Sequence, residues 1–92
     1  MSEQLRWQAR LTAEGQRSLD RLDEKVATAV VEFIVGALVD NPRRVGRPLG
    51  QNLTGRYSAR RGAYRVIYRL DESSHTVYVT RIDHRSDVYR PS

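Results

Sequence analysis

The stretch Tyr57-Ser58-Ala59-Arg60-Arg61-Gly62-Ala63-Tyr64-Arg65-Val66-Ile67-Tyr68-Arg69-Leu70, followed by Thr76-Val77-Tyr78-Val79-Thr80-Arg81-Ile82, decides the fold. Aromatic and β-branched residues dominate it, and two turn signals divide it: Gly62-Ala63 and the polar run Asp71 to His75. Three strands are expected, over Tyr57–Arg61, Tyr64–Leu70 and Thr76–Ile82. Each connection is too short for a crossover helix, so the three should form an antiparallel meander. Side chains alternate along a strand, which puts Val66, Tyr68 and Leu70 on one face and Arg65, Ile67 and Arg69 on the other.

Upstream, Leu5-Arg6-Trp7-Gln8-Ala9-Arg10-Leu11 also alternates, predicting a strand that buries Leu5, Trp7, Ala9 and Leu11. Thr12 offers a capping hydroxyl for a first helix over Ala13 to Leu22, weakened at Gly15 by about 1 kcal/mol relative to Ala. Asp23 is placed to cap a second helix, whose apolar stripe is Val26, Val30, Phe33, Ile34, Ala37 and Leu38. Asn41-Pro42 stops it, since proline disfavours a helical conformation in the residue before it. Residues 43–56 read as a loop anchored by Leu49 and Leu53, and Asp83 to Ser92 as a polar tail. The order β-α-α-β-β-β gives an α+β chain: one small domain over 1–92, with a curved antiparallel sheet and an antiparallel helical hairpin packed on one face.

Composition narrows the function classes. The 92 residues contain no cysteine, which argues against a disulfide framework or a thiolate metal site. No apolar run reaches the roughly 20 residues of a membrane span, and Met1-Ser2-Glu3-Gln4-Leu5-Arg6 lacks the apolar core of a signal peptide. A cytoplasmic protein with no membrane contact is expected. The net charge of +5 is unevenly spread: residues 1–40 carry five basic and seven acidic side chains, residues 41–92 eleven arginines and four acids. A basic half-chain points first to nucleic acid and second to an acidic protein partner, and arginine's planar fork of donors matches phosphate oxygens in pairs.

The strand pattern gathers Arg60, Arg61, Arg65, Arg81, His84, Arg85 and Tyr89 at one end of the sheet. The faces of Arg81 and of Arg60 or Arg61 stay open, because one bulge reverses them. The sequence has no Ser–His–Asp pattern and no glycine-rich phosphate loop, and His75 and His84 are too few for a zinc site without cysteines, so no metal and no cofactor is expected. The arginines can bind a phosphodiester and stabilise extra charge on phosphorus in a transition state. With RNA as substrate the 2′-hydroxyl is the nucleophile, and His84 and Tyr89 can share the proton transfers. Cations beside a tyrosine lower its phenol pKa. Taken singly, each residue has a plainer use: a lone histidine is commonly surface decoration, a tyrosine packing, a sheet arginine solvated.

The stretch Leu53 to Asp71 and the close Arg81-Ile82-Asp83-His84-Arg85-Ser86-Asp87-Val88-Tyr89-Arg90 resemble the RelE/ParE superfamily of type II toxin–antitoxin toxins, closest to the RelE branch. The motif is Tyr-Arg-Val-x-Tyr followed by a terminal His-Arg-x-x-x-Tyr, and the resemblance covers almost the whole chain. It implies the β-α-α-β-β-β fold and a ribosome-dependent mRNA interferase that cuts A-site codons, leaving a 2′,3′-cyclic phosphate. By position, Arg65 resembles the transition-state arginine. Arg85, or alternatively His84, resembles the second essential cation, and Tyr89 the C-terminal tyrosine of stacking and proton transfer. Arg60 and Arg61 stand where some members carry lysines, and either can be the one that matches; with Arg81 they are the expected phosphate-binding residues. This chain departs in having no lysine in the site, which moves proton transfer towards His84, and in carrying Asp83 where many relatives have glycine. Implied partners are a cognate antitoxin, the ribosome and mRNA, with operator DNA met only through the toxin–antitoxin complex. The alternatives are a ParE-like toxin that inhibits DNA gyrase without chemistry, and a regulatory subunit whose basic face only meets its antitoxin. ParE-like chains usually lack the terminal His-Arg and Tyr combination.

Overall fold

Gly62 sits at φ +61° in the first position of a two-residue loop, where a hairpin turn matching the strand twist needs a positive φ. It joins β3 (Arg56–Arg61) to β4 (Tyr64–Asp71), and a polar turn then leads into β5 (Thr76–His84). In that turn the Asp71 carboxylate accepts from the backbone N–H groups of Ser73 (3.0 Å) and Ser74 (3.3 Å). The computed structural model describes residues 6–50 and 55–84. The remaining elements are β1 (Gln8–Leu11), α1 (Ala13–Asp20), α2 (Glu24–Phe33), a π-helical stretch (Ile34–Leu38), α3 (Pro42–Val45) and a two-residue β2 (Arg47–Pro48).

The five strands run in the order β1-β5-β4-β3-β2, with the helices on one face, as expected of an α+β chain. The expected meander is β3-β4-β5, antiparallel throughout. The expectation of a wholly antiparallel sheet is corrected at its edge, where β1 pairs with β5 in parallel. No turn links β1 to β5, so no short loop dictates their relative direction. Instead Thr12 ties the end of β1 to α1 and to β5: its N–H and hydroxyl both donate to the Val79 carbonyl (3.1 and 3.3 Å), and its Oγ1 accepts from the Gly15 N–H at 3.0 Å. Asp23 precedes α2 as expected but makes no capping hydrogen bond.

The core joins Val30, Phe33, Ile34 and Leu38 of the second helix to Val66, Tyr68, Val77, Val79 and Ile82 of the sheet. One stripe position differs from expectation: Ala37 is exposed and Val39 buried. The π-helical stretch explains this. The Val39 N–H bonds back to the Ile34 carbonyl, five residues away, so the buried pair 33–34 is followed by 38–39 rather than 37–38. Pro42 ends that helix and opens α3, and its carbonyl accepts from the buried Tyr68 hydroxyl at 2.5 Å. Burial, with Tyr57 stacked alongside, pushes the Tyr68 phenol well above its ordinary value and keeps it a donor. Within the expected loop 43–56 the chain forms regular structure, and β2 pairs with β3 through Arg47–Ser58 and Pro48–Tyr57. Among the described residues no helix is long and apolar enough to cross a membrane. Leu5, Leu53, Arg85 and Tyr89 lie outside the described residues.

Candidate functional site

The face of the sheet away from the helices carries the arginines, and register decides which ones. Arg60 stands opposite Arg65, and Arg65 opposite Asp83, so the three form one row across β3, β4 and β5. Ser58, Ile67 and Arg81 form the next row on the same face. Arg81 reaches this face only because β5 is bulged. Tyr68 pairs with Val79 but Ile67 pairs with Arg81, so Thr80 is the extra residue; its hydroxyl donates to the Ile67 carbonyl at 3.2 Å. With unbroken alternation Arg81 would follow Val77 and Val79 into the core. The bulge instead sends Ile82 inward, 4% exposed, and leaves Arg81 in solvent.

Arg61 takes the other face. It pairs with Tyr64, and its guanidinium lies 5.4 Å from the centroid of the Phe33 ring. Of the two interchangeable arginines, Arg60 therefore belongs to the row with Arg65, and Arg61 stands apart from the phosphate-binding set drawn from sequence. Tyr64, between Arg61 and Glu32, donates its hydroxyl to the Ala29 carbonyl at 3.3 Å. Burial raises its phenol pKa, and Glu32 adds to that against the lowering effect of Arg61. A neighbouring arginine does not make this tyrosine a base, because partial burial outweighs the cation.

β5 runs two residues beyond its expected end, so Asp83 and His84 belong to the strand rather than to a tail. His84 pairs with Tyr64 and so points to the helix side of the sheet. A cleft of about 470 Å³ nonetheless brings both faces together, because it wraps the end of the sheet beside the Gly62-Ala63 turn. Arg60, Arg65, Arg81 and Asp83 line it from the open face, and Tyr64, Ile82 and His84 from the helix side. Ser18 and Arg21 of the first helical segment form the remaining wall. Their spacing of three residues marks one helix face, but nothing in the sequence said which sheet edge that face would meet. A second cleft of about 540 Å³ continues from Arg60 and Arg65 to Arg47 and Ser58.

The electrostatics are those of an anion site. Like charges directly opposite on neighbouring strands destabilise a sheet, and Arg60–Arg65 is such a pair. Asp83 is placed to offset it, and its Oδ1 lies 3.0 Å from Arg81 Nε. Among the described residues no group of three or more His, Cys, Asp or Glu side chains could hold a metal ion. The cleft is suited to gripping a phosphodiester and meeting charge that develops on it, with an imidazole at its rim for proton transfer.

The chain is similar to known proteins over most of its length. Residues 9–89 match the family model described as ParE toxin of type II toxin–antitoxin system, parDE. Two relatives from Mycobacterium tuberculosis are similar over most of their length. Toxin RelG is 48% identical over 81 residues, covering 88% of this chain and 93% of that protein. Toxin RelE is 47% identical over 90 residues, covering 98% of this chain and 93% of that protein. Among solved structures, the toxin–antitoxin complex RelBE2 of M. tuberculosis contains a chain with a TM-score of 0.85 and 43% identity, over 91% of this chain and 97% of that one.

Proposed function

The chain is a RelE-like member of the ParE toxin family of type II toxin–antitoxin systems, and from that membership we propose that it is a ribosome-dependent mRNA endoribonuclease that cuts the codon in the ribosomal A site and inhibits translation. The observation that carries this reading is the convergence of Arg60, Arg65 and Arg81 with His84 around one cleft at the end of the sheet.

The reaction needs little from the protein beyond alignment and charge. The substrate's 2′-oxygen bonds to phosphorus, the bond from phosphorus to the 5′-oxygen breaks, and a 2′,3′-cyclic phosphate remains. One proton leaves the 2′-hydroxyl and one reaches the departing 5′-oxygen. Arg65 stabilises charge on the pentacoordinate phosphorus, Arg60 and Arg81 hold the flanking backbone, and His84 carries a proton. The roles of Arg85 as a second essential cation and of Tyr89 in stacking and proton transfer rest on the family resemblance alone. A cognate antitoxin is the natural partner, by analogy with the M. tuberculosis toxin–antitoxin complex, and operator DNA would be met only through that complex. The working compartment is the cytoplasm.

Purified protein should cut mRNA on programmed ribosomes and barely touch the same RNA free in solution. Holding three reacting atoms in line removes a large share of the barrier, and the ribosome can supply that alignment. A difference in rate on the order of 10²-fold or more is expected, read by mapping RNA ends over time. Equal cleavage of free RNA would refute ribosome dependence. Intact mRNA together with inhibited DNA supercoiling would instead identify the non-enzymatic, gyrase-directed alternative.

A further inference from the structure

We propose that Asp83 sets the phosphate affinity of the cleft: its carboxylate competes with the substrate phosphodiester for Arg81 and for the cation row at Arg65, and so keeps the grip on free single-stranded RNA weak. This rests on the reading of the cleft as an RNA site. The open face of the sheet carries Arg56 and Arg60 on β3, Arg65 and Arg69 on β4, and Arg81 on β5. Among the described residues, Asp83 is the carboxylate placed with the three of these that line the cleft. Asp71, at the far end of the same face, is engaged by Ser73 and Ser74 in its own turn.

Two relations place Asp83 among the cations of the cleft. Two residues apart on one strand, Arg81 and Asp83 share a face, and Asp83 Oδ1 meets Arg81 Nε at 3.0 Å. Across the ladder, Asp83 is the direct partner of Arg65. The bulge at Thr80 puts both relations on the open face, since without it Arg81 and Asp83 would point to the core side. The side chains of Arg81 and Asp83 remain 58% and 40% exposed, and ion pairs this open to water are held weakly. A phosphodiester anchored by other contacts can therefore displace the carboxylate, whereas one that diffuses in from solution meets a partly neutralised site and a like charge beside it. Asp83 is thus a positioning residue that acts through Arg81, and it favours RNA that is presented over RNA that is free.

The test uses a short single-stranded RNA labelled with a fluorophore and carrying 2′-O-methyl groups, which removes the nucleophile and separates binding from cleavage. Anisotropy titrations at several salt concentrations compare the parent with Asp83→Asn, Asp83→Ser, Arg81→Ala and the Asp83→Asn/Arg81→Ala double variant. Removing one negative charge within a few ångströms of bound phosphate should tighten binding by about 10-fold. It should also steepen the slope of log K against log salt by about 0.7, the increment for one further phosphate contact on a single strand. In the Arg81→Ala background part of the gain should vanish, because one of the two cations competed for is gone while Arg65 remains. Binding by both Asp83 variants that matches the parent or is weaker, with melting temperatures unchanged, would overturn the proposal, as would a full gain in the absence of Arg81. Cleavage of ribosome-bound mRNA by the parent, run alongside, separates the two claims. Tighter binding by the variants with no cleavage by the parent keeps the role of Asp83 and refutes the nuclease; cleavage without tightening does the reverse.

Discussion

Arg65→Ala should slow cleavage of ribosome-bound mRNA by about 10²–10³-fold, the usual cost of removing one preorganised donor from a transition state, while leaving the fold intact. Arg65 is exposed and lies on β4, the middle strand of the sheet, opposite Arg60 on one side and Asp83 on the other. Its removal opens no core cavity, so unfolding free energy should change by no more than about 0.5 kcal/mol, as for ordinary surface substitutions. Relief of the Arg60–Arg65 repulsion works in the stabilising direction. Arg65→Lys should recover only part of the rate, because a compact ammonium cannot make the paired contact of a guanidinium. Arg6→Ala is the matched control: Arg6 lies 3.4 Å from Asp40 in an exposed pair and does not line the cleft. Single-turnover cleavage and thermal melting of all three variants decide the matter. Parent-like cleavage by Arg65→Ala, or a loss explained by melting, would remove Arg65 from the chemistry and strengthen the gyrase-directed alternative.

Gly15→Ala should destabilise the protein by about 1–3 kcal/mol, the range for overpacking a closely packed site, although helix propensity alone assigns it a gain of about 1 kcal/mol. Gly15 is buried in α1, and a Cβ there would overlap the Val79 carbonyl oxygen and lie 3.1 Å from the carbonyl carbon. Neither group is a flexible side chain that can swing aside; α1 must lift from β5 or β5 must move. The same carbonyl accepts two hydrogen bonds from Thr12, so the cap that starts α1 is disturbed as well. Val79 immediately precedes the bulge that turns Arg81 outward, and mRNA cleavage should fall together with stability. Urea denaturation checks the sign against Gly36→Ala, where a Cβ would meet nothing within 4 Å. A stabilised Gly15→Ala protein would show that α1 does not need this close approach.

The amino-acid sequence by itself determined the strands β3, β4 and β5, their antiparallel connections and the side of β4 that carries Arg65, since period-two alternation and short turns leave little choice. It also determined that helices follow β1, and that eleven of the arginines fall in the second half of the chain. Tertiary structure alone decided which arginines meet. The bulge at Thr80 inverts the alternation beyond it, and nothing local in Val77 to Ile82 marks where a ladder slips by one residue. That slip brings Arg81 and Asp83 beside Arg65, and the β3–β4 register gives Arg60 rather than Arg61 to the same row. The parallel docking of β1 on β5, the π-helical stretch that buries Val39 in place of Ala37, and the wall formed by Ser18 and Arg21 are likewise tertiary. The physical reason is common to all of them. Alternation and turn chemistry act over a few residues, whereas register and packing are settled by contacts between segments tens of residues apart, whose energies no local pattern encodes.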